Sequence, residues 1–427
     1  MTAGFENREG RWWCERVSLV ELAAAVGTPA YVYSAGALDA ALRSVREALA
    51  WTPHLVAYAV KASSNAAIIA RLGRAGAGAD VVSGGELERV LRAGIPPERV
   101  VFSGVGKRDD EIEAALRAGI RSLHVESPPE LEVVEAIARR LGVAARIGLR
   151  VNPDVDPGTH PYVATGVGES KFGLSFDEAR ALLPRVMASP WLRLHVVACH
   201  VGSQIPSATV LRESVARTAA FGRQCREAGA PLRSLDAGGG WPVDYGDGGA
   251  RWPNAHELGE AIRLGLQDGG LDASTIDVIV EPGRYLVGPA GALLTRVLYV
   301  RRRAERTFVV VDAAMNDLLR PALYGAHHRI VPVVERTGAP PLRLDVVGPV
   351  CESGDFLARD RTMPLPERGD LLLVLTAGAY GMSMASQYNS RPRAPEILVE
   401  GDAWCVVRDR ESLEDLIAAE RRAGAMA

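Results

Sequence analysis

Residues 55–82, LVAYAVKASSNAAIIARLGRAGAGADVV, decide how the rest of the chain is read. The stretch starts on a short apolar run at 55–60. It continues through 66–75, rich in Ala, Leu and Arg, and returns to a second apolar run at 78–82. An apolar run, a helical stretch and another apolar run make one βα unit of a parallel sheet. The rhythm repeats outward. Further apolar runs fall at 100–102, 122–125, 146–151, 196–199, 234–236 and 278–280, with helical stretches between them such as 86–93, 110–118, 129–141, 177–186 and 210–228. Eight such runs over about 230 residues are the count and length of a (β/α)8 barrel. An open doubly wound sheet would not require eight, and no run here leads into GxGxxG.

The texture changes after residue 290. Runs at 308–311, 329–334, 342–347, 371–375, 396–399 and 404–407 follow one another across turn residues, with few helical stretches between. That is the pattern of an antiparallel β domain. The expected organisation is an N-terminal segment, 1–35, whose extended part at 30–33 joins the β domain; a barrel over 36–288; and the β domain over 289–427.

Composition narrows the function classes. The 427 residues are 48% hydrophobic and 24% charged, which suffices for a large core, and the net charge is −3. A nucleic-acid partner is not expected, because such proteins present a clustered basic face; the longest basic run, Arg301-Arg302-Arg303, reads as a solvated turn. Five scattered cysteines, Cys14, Cys199, Cys225, Cys351 and Cys405, form neither a disulfide framework nor a CxxC zinc pattern, so no metal is expected. Reduced thiols, an N-terminus without a secretory core and the lack of any run near the ~18 apolar residues of a membrane span together suggest a cytoplasmic protein with no membrane partner.

In a (β/α)8 barrel the chemistry collects where the strands end. Here the first strand runs into Lys61, the second into Ser83-Gly84-Gly85-Glu86, and the fifth into Arg150-Val151-Asn152-Pro153. The sixth runs into His200-Val201-Gly202-Ser203, the seventh into Gly238-Gly239-Gly240, and the eighth into Glu281-Pro282-Gly283-Arg284. A lysine desolvated in a cavity has a lowered pKa and an amine ready to form a Schiff base, although a lone lysine at a strand end is ordinarily a surface residue. Glycines after strands seven and eight let backbone amides approach a phosphate, and Ser203 adds a hydroxyl. Glu281 opposite a pyridine nitrogen would keep it protonated; a plain ion pair with Arg284 is the simpler use. His200 would stack on a flat ring, or serve as a satisfied core residue. In the β domain, Arg320 and Tyr324 stand four apart, and Arg284 and Arg320 would suit a substrate carboxylate. Cys351-Glu352-Ser353-Gly354-Asp355 sets a thiol beside a carboxylate, and Tyr380 lies in Gly378-Ala379-Tyr380-Gly381.

Taken together, Tyr58-Ala59-Val60-Lys61-Ala62, His200-Val201-Gly202-Ser203-Gln204, Gly238-Gly239-Gly240, Glu281-Pro282-Gly283-Arg284, Cys351-Glu352-Ser353-Gly354-Asp355 and Gly378-Ala379-Tyr380-Gly381 resemble the fold-type III pyridoxal-phosphate decarboxylases, in order and over nearly the whole chain. The segments Asn152-Pro153-Asp154-Val155-Asp156, Thr159-His160-Pro161-Tyr162, Thr165-Gly166, Lys171-Phe172-Gly173 and Arg320-Pro321-Ala322-Leu323-Tyr324 are most similar to the diaminopimelate decarboxylase branch. The resemblance implies a barrel of the alanine-racemase type with an antiparallel β-barrel domain, and decarboxylation of meso-2,6-diaminopimelate to L-lysine. It implies that Lys61 carries pyridoxal 5'-phosphate and His200 stacks on its ring. Ser203, Gly238, Gly239, Gly240 and Gly283 would hold the phosphate, and Glu281 the ring nitrogen. Arg284, Arg320 and Tyr324 would take the distal carboxylate and Glu352 the distal ammonium. Cys351 would donate a proton, and Tyr380 would touch cofactor and substrate. A homodimer with shared active sites is implied. Two departures concern specificity: the glycine-rich Gly166-Val167-Gly168-Glu169-Ser170, and an additional arginine in Gln387-Tyr388-Asn389-Ser390-Arg391-Pro392-Arg393. A same-family decarboxylase acting on ornithine, lysine or a carrier-linked amino acid is the alternative; a racemase would need a second, opposed base.

Overall fold

Eight short strands, His54–Ala59, Gly78–Val81, Val100–Phe102, Ser122–Val125, Ala145–Val151, Leu192–Cys199, Ser234–Asp236 and Asp277–Val280, close into a barrel. Each pairs in parallel with the next, and the ring closes where Val278, Ile279 and Val280 pair with His54, Leu55 and Val56. The computed structural model describes residues 4–155, 171–246, 248, 251–336, 338 and 340–423. Nearly every strand residue is buried, since a parallel barrel strand faces packed side chains inside and helices outside. Leu55, Ala57, Val101, Val196, Ala198 and Ile279 form one apolar cluster.

The helices between the strands start on side-chain caps. Ser83, Ser127, Ser175 and Asn254 each accept from the amide three residues on, which fixes where each helix begins relative to the strand before it. Gly119 and Gly142, with φ of 69° and 68°, end two of them in the left-handed conformation glycine tolerates. Ala255–Asp268 is a further helix that precedes the last strand.

By their contacts the residues fall into two compact units: 40–243 with 251–285, which holds the barrel, and 1–39, 244–250 and 286–427. The second unit is built on a nine-stranded sheet. Its long central strand, Gly291–Arg302, pairs antiparallel with Ala30–Ser34, Thr307–Val311 and Leu371–Val374. Two pairings run parallel, Thr307–Val311 with Pro341–Val347 and Ala30–Ser34 with Glu396–Glu400. The strand Ala30–Ser34 is buried throughout and central to the sheet. Residues 244–246 join this unit from the middle of the barrel sequence, a detour that apolar periodicity does not reveal.

Candidate active site

Lys61 follows the first strand, in the single 3-10 turn Val60–Ala62. Its Nζ donates to Asp80 Oδ2 at 3.0 Å. Asp80 belongs to the second strand and is fully buried, and its Oδ1 has no hydrogen-bond partner among the described residues. Glu86, in the first turn of the helix Gly84–Arg92, accepts from Val82 N at 2.8 Å. Burial, with Asp80 adding to it, pushes the Glu86 carboxyl up to about 7 against the pull of the Val82 amide and Lys61.

Deeper in the barrel lies a carboxyl pair. Asp236 ends the seventh strand and Glu281 follows the eighth; both are buried, and with His124 their polar atoms lie within 4.8 Å of one another. Burial first, then Asp236 and Asp80, hold Glu281 well above the usual carboxylate range, and burial raises Asp236 in the same way. Two buried carboxyls this close each disfavour the other's ionised form. Ser103 Oγ donates to Glu281 Oε1 at 3.3 Å and lies 3.2 Å from His124 Nδ1. Burial, Lys107 and Arg150 push His124 down to about 3, so it is neutral. Gly148 makes room for its ring, since a Cβ there would lie 2.6 Å from His124 Cδ2.

Around this floor the chain runs through glycine for steric reasons. A Cβ at Gly238 would come within 2.4 Å of Cys199 O, at Gly239 within 2.4 Å of Glu281 O, and at Gly240 within 2.1 Å of Gly202 O. Two of the three amides are engaged inside the protein. Gly238 N donates to Asp236 Oδ1 at 2.8 Å, and Gly239 N to His200 Nδ1 at 3.0 Å. The second bond makes Nδ1 an acceptor and leaves the hydrogen on Nε2; burial, Arg150 and Lys61 keep His200 uncharged. Arg284 Nη2 donates to Ser203 Oγ at 2.8 Å, which frees the serine hydroxyl hydrogen for another acceptor. Gly283 packs a would-be Cβ 2.9 Å from Ala62, beside Lys61.

The geometry suits a flat, anionic nitrogen heterocycle. The Asp236–Glu281 pair offers carboxyl oxygens to a ring nitrogen, and buried Asp236 Oδ2 has no hydrogen-bond partner among the described residues. Ser203 and Arg284 offer donors for an anion, and Lys61 an amine. His124, Asp236 and Glu281 are also close enough together to ligate a cation.

The remaining expected residues lie in the other unit. Arg320 opens the short helix Arg320–Tyr324 and is buried; Tyr324 is partly exposed. Cys351 and Glu352 are exposed. Cys351 N donates to Asn389 Oδ1 at 2.8 Å, and buried Asp355 holds the turn by accepting from Met315 N and Val350 N, both at 2.7 Å. Tyr380 has a left-handed backbone, φ 57°, which non-glycine residues adopt at a cost.

A family model described as "Pyridoxal-dependent decarboxylase, pyridoxal binding domain" matches residues 35–288. The diaminopimelate decarboxylase of Pseudomonas aeruginosa is 47% identical over 416 residues, covering 97% of this chain and 98% of its own length. The chain belongs to the diaminopimelate decarboxylase family. Solved members superpose closely. The Helicobacter pylori enzyme complexed with L-lysine aligns with a TM-score of 0.90 at 41% identity, over 95% of this chain and 99% of its own. That of M. jannaschii, also in complex with L-lysine, reaches 0.93 at 34%, over 98% of both chains.

Within the diaminopimelate decarboxylase fold seen here, Lys61, His200, Ser203, Gly238, Gly239, Gly240, Glu281, Gly283 and Arg284 share the barrel unit, whereas Arg320, Tyr324, Cys351, Glu352 and Tyr380 belong to the other. The glycine-rich segment 166–170, with 156 and 159–165, lies outside the described residues. Asp80, Ser103, His124 and Asp236 were not singled out from sequence. Their signal was a polar residue inside or just after an apolar run, as in Gly78-Ala79-Asp80-Val81 and Ser122-Leu123-His124-Val125. Every second residue of a barrel strand points inward, so such a residue faces the barrel interior.

Proposed function

We propose that this chain removes one carboxyl group of meso-2,6-diaminopimelate as carbon dioxide and releases L-lysine, using pyridoxal 5'-phosphate held on Lys61. The observation that carries the reading is the pairing of one partly accessible lysine amine with a buried carboxyl pair in the barrel of a diaminopimelate decarboxylase relative. When bound, the cofactor supplies an electron-withdrawing ring that stabilises the electron pair left on the α-carbon as carbon dioxide departs.

The chain's own groups supply the rest. Lys61 gives the amine, and Asp80 orients it while it is charged. Glu281 presents its carboxyl group to the ring nitrogen, with buried Asp236 beside it. Neutral His200, its orientation set by Gly239 N, offers a flat face without repelling a cationic ring. Ser203, its oxygen already accepting from Arg284, donates its hydroxyl hydrogen to the phosphate, assisted by the amides of Gly240 and Gly283; the amides of Gly238 and Gly239 serve the protein instead. Arg284, Arg320 and Tyr324 hold the carboxylate that stays, Glu352 the distal ammonium, and Tyr380 contacts both cofactor and substrate. Cys351 Sγ gives its hydrogen to the α-carbon, restoring four bonds there, and regains it from water.

We read the working unit as a homodimer in the cytoplasm. In support, the helix Leu413–Arg422 buries none of its residues and leaves Leu413 71% exposed, and the edge strand Ala403–Arg408 leaves Trp404 and Val406 exposed. Exposed Cys351 and Glu352 suit a turn that completes a neighbour's site. Among the described residues no helix is long and apolar enough to cross a membrane. Carbon dioxide release from meso-diaminopimelate, ornithine and L-lysine, measured side by side, tests the substrate; preference for ornithine would overturn it.

A further inference from the structure

Arg320 is held by two uncharged neighbours that neither the fold nor the chemistry above required. His328 is fully buried, eight residues on. Its Nδ1 lies 3.0 Å from Leu375 O, and its Nε2 lies 2.7 Å from Arg320 Nη1. A carbonyl oxygen only accepts and a guanidinium only donates. Nδ1 therefore carries the hydrogen, Nε2 is a lone-pair acceptor, and His328 is a neutral imidazole whose tautomer is set by Leu375. On another side, Arg320 Cζ sits 4.6 Å from the centroid of the Tyr245 ring. The same ring meets His328 edge to face, with centroids 5.1 Å apart and planes at 80°. Tyr245 comes from the 244–250 detour, so the second unit captures this short segment and puts its one aromatic ring on the arginine.

We propose that His328 and Tyr245 are positioning residues for Arg320 and thereby set the preference for a substrate whose far end carries a carboxylate. The inference rests on the reading that Arg320 binds that carboxylate. A free arginine side chain loses much rotamer freedom on gripping a ligand. Here one Nη1 hydrogen and one face are fixed beforehand by groups that bring no negative charge, so the guanidinium is ordered without being neutralised by them. A carboxylate partner in place of His328 would order it equally well and compete with the substrate.

The test uses the cofactor-loaded enzyme and steady-state kinetics on meso-diaminopimelate. Arg320→Gln probes the underlying reading; His328→Asn keeps a donor for Leu375 O but removes the acceptor for Arg320, and His328→Gln restores an acceptor near the Nε2 position. We expect Arg320→Gln to raise KM on the order of a hundredfold, and His328→Asn to raise it roughly tenfold with kcat within about twofold. His328→Gln should recover part of that loss. In the Arg320→Gln background His328→Asn should add nothing. An unchanged KM in Arg320→Gln removes the underlying reading. A raised KM there, with His328→Asn silent or with its effect undiminished in the double variant, overturns the positioning role alone. Should His328→Asn fail to fold, Tyr245→Leu takes its place, with the same pattern expected and the same results counting against it.

Discussion

Glu86 offers a test of the electrostatics beside Lys61. Its carboxyl is held up at about 7, from an ordinary 4.5, by burial and by Asp80. A group whose pKa is higher in the folded chain binds its proton more tightly there. The stability it contributes is complete below about pH 4.5 and is lost as the pH rises through about 7. The interval corresponds to about 3 kcal/mol at about 1.4 kcal/mol per pH unit. Glu86→Gln removes the titration while its amide oxygen still accepts from Val82 N. In urea unfolding of the cofactor-free protein, the variant should match the wild type near pH 4.5. It should exceed it by about 3 kcal/mol near pH 8, with the gain levelling off above 7. Because the charge on Lys61 draws Glu86 down, the gain should be larger in a Lys61→Met background. A difference that stays flat with pH, or that shrinks as pH rises, refutes the reasoning.

Gly239→Ala should lower cofactor affinity at least tenfold and destabilise the protein by about 1–3 kcal/mol, because its Cβ would meet Glu281 O at 2.4 Å and shift the residue proposed to face the ring nitrogen. Titration of the visible cofactor absorbance checks the first part and urea unfolding the second. Lys107 is wholly buried and donates to Gly104 O and His124 O, each at 2.6 Å, and to Glu130 Oε1 at 2.7 Å. Lys107→Met would leave Glu130 without its cationic partner, so unfolding free energy should fall by about 3–5 kcal/mol; a loss below about 1 kcal/mol would show that the ion pair does not stabilise the fold.

The barrel was legible because its strands are short runs separated by helical stretches, and the runs at 100–102, 122–125 and 234–236 are the strands observed. What periodicity could not give was partnership between distant residues. The strand Gly291–Arg302 carries Thr295 and Arg296 in its interior and was not singled out, yet it is the centre of its sheet because three other strands pair with it. Lys61 and Glu281 stood out as polar residues following strands. Asp236 was read only as the end of a run, since nothing local says that its carboxyl meets one 45 positions later. The additional arginine near residue 393 also has a distant partner. Arg393 Nε donates to Glu411 at 2.7 Å; burial raises that carboxyl, but bonds from Arg393 and Gln387 outweigh it and hold it down at about 2. It therefore ties the turn to the segment before the last helix. His328 was invisible for the same reason, since the sequence shows two adjacent histidines and not which one meets Arg320.

The central claim is that one amine in the barrel holds the cofactor. Borohydride treatment of the loaded enzyme fixes that link, and peptide mass spectrometry then locates it. The account predicts a pyridoxyl group on Lys61 and on no other residue; a label elsewhere, or none on enzyme that still releases carbon dioxide from meso-diaminopimelate, would contradict it.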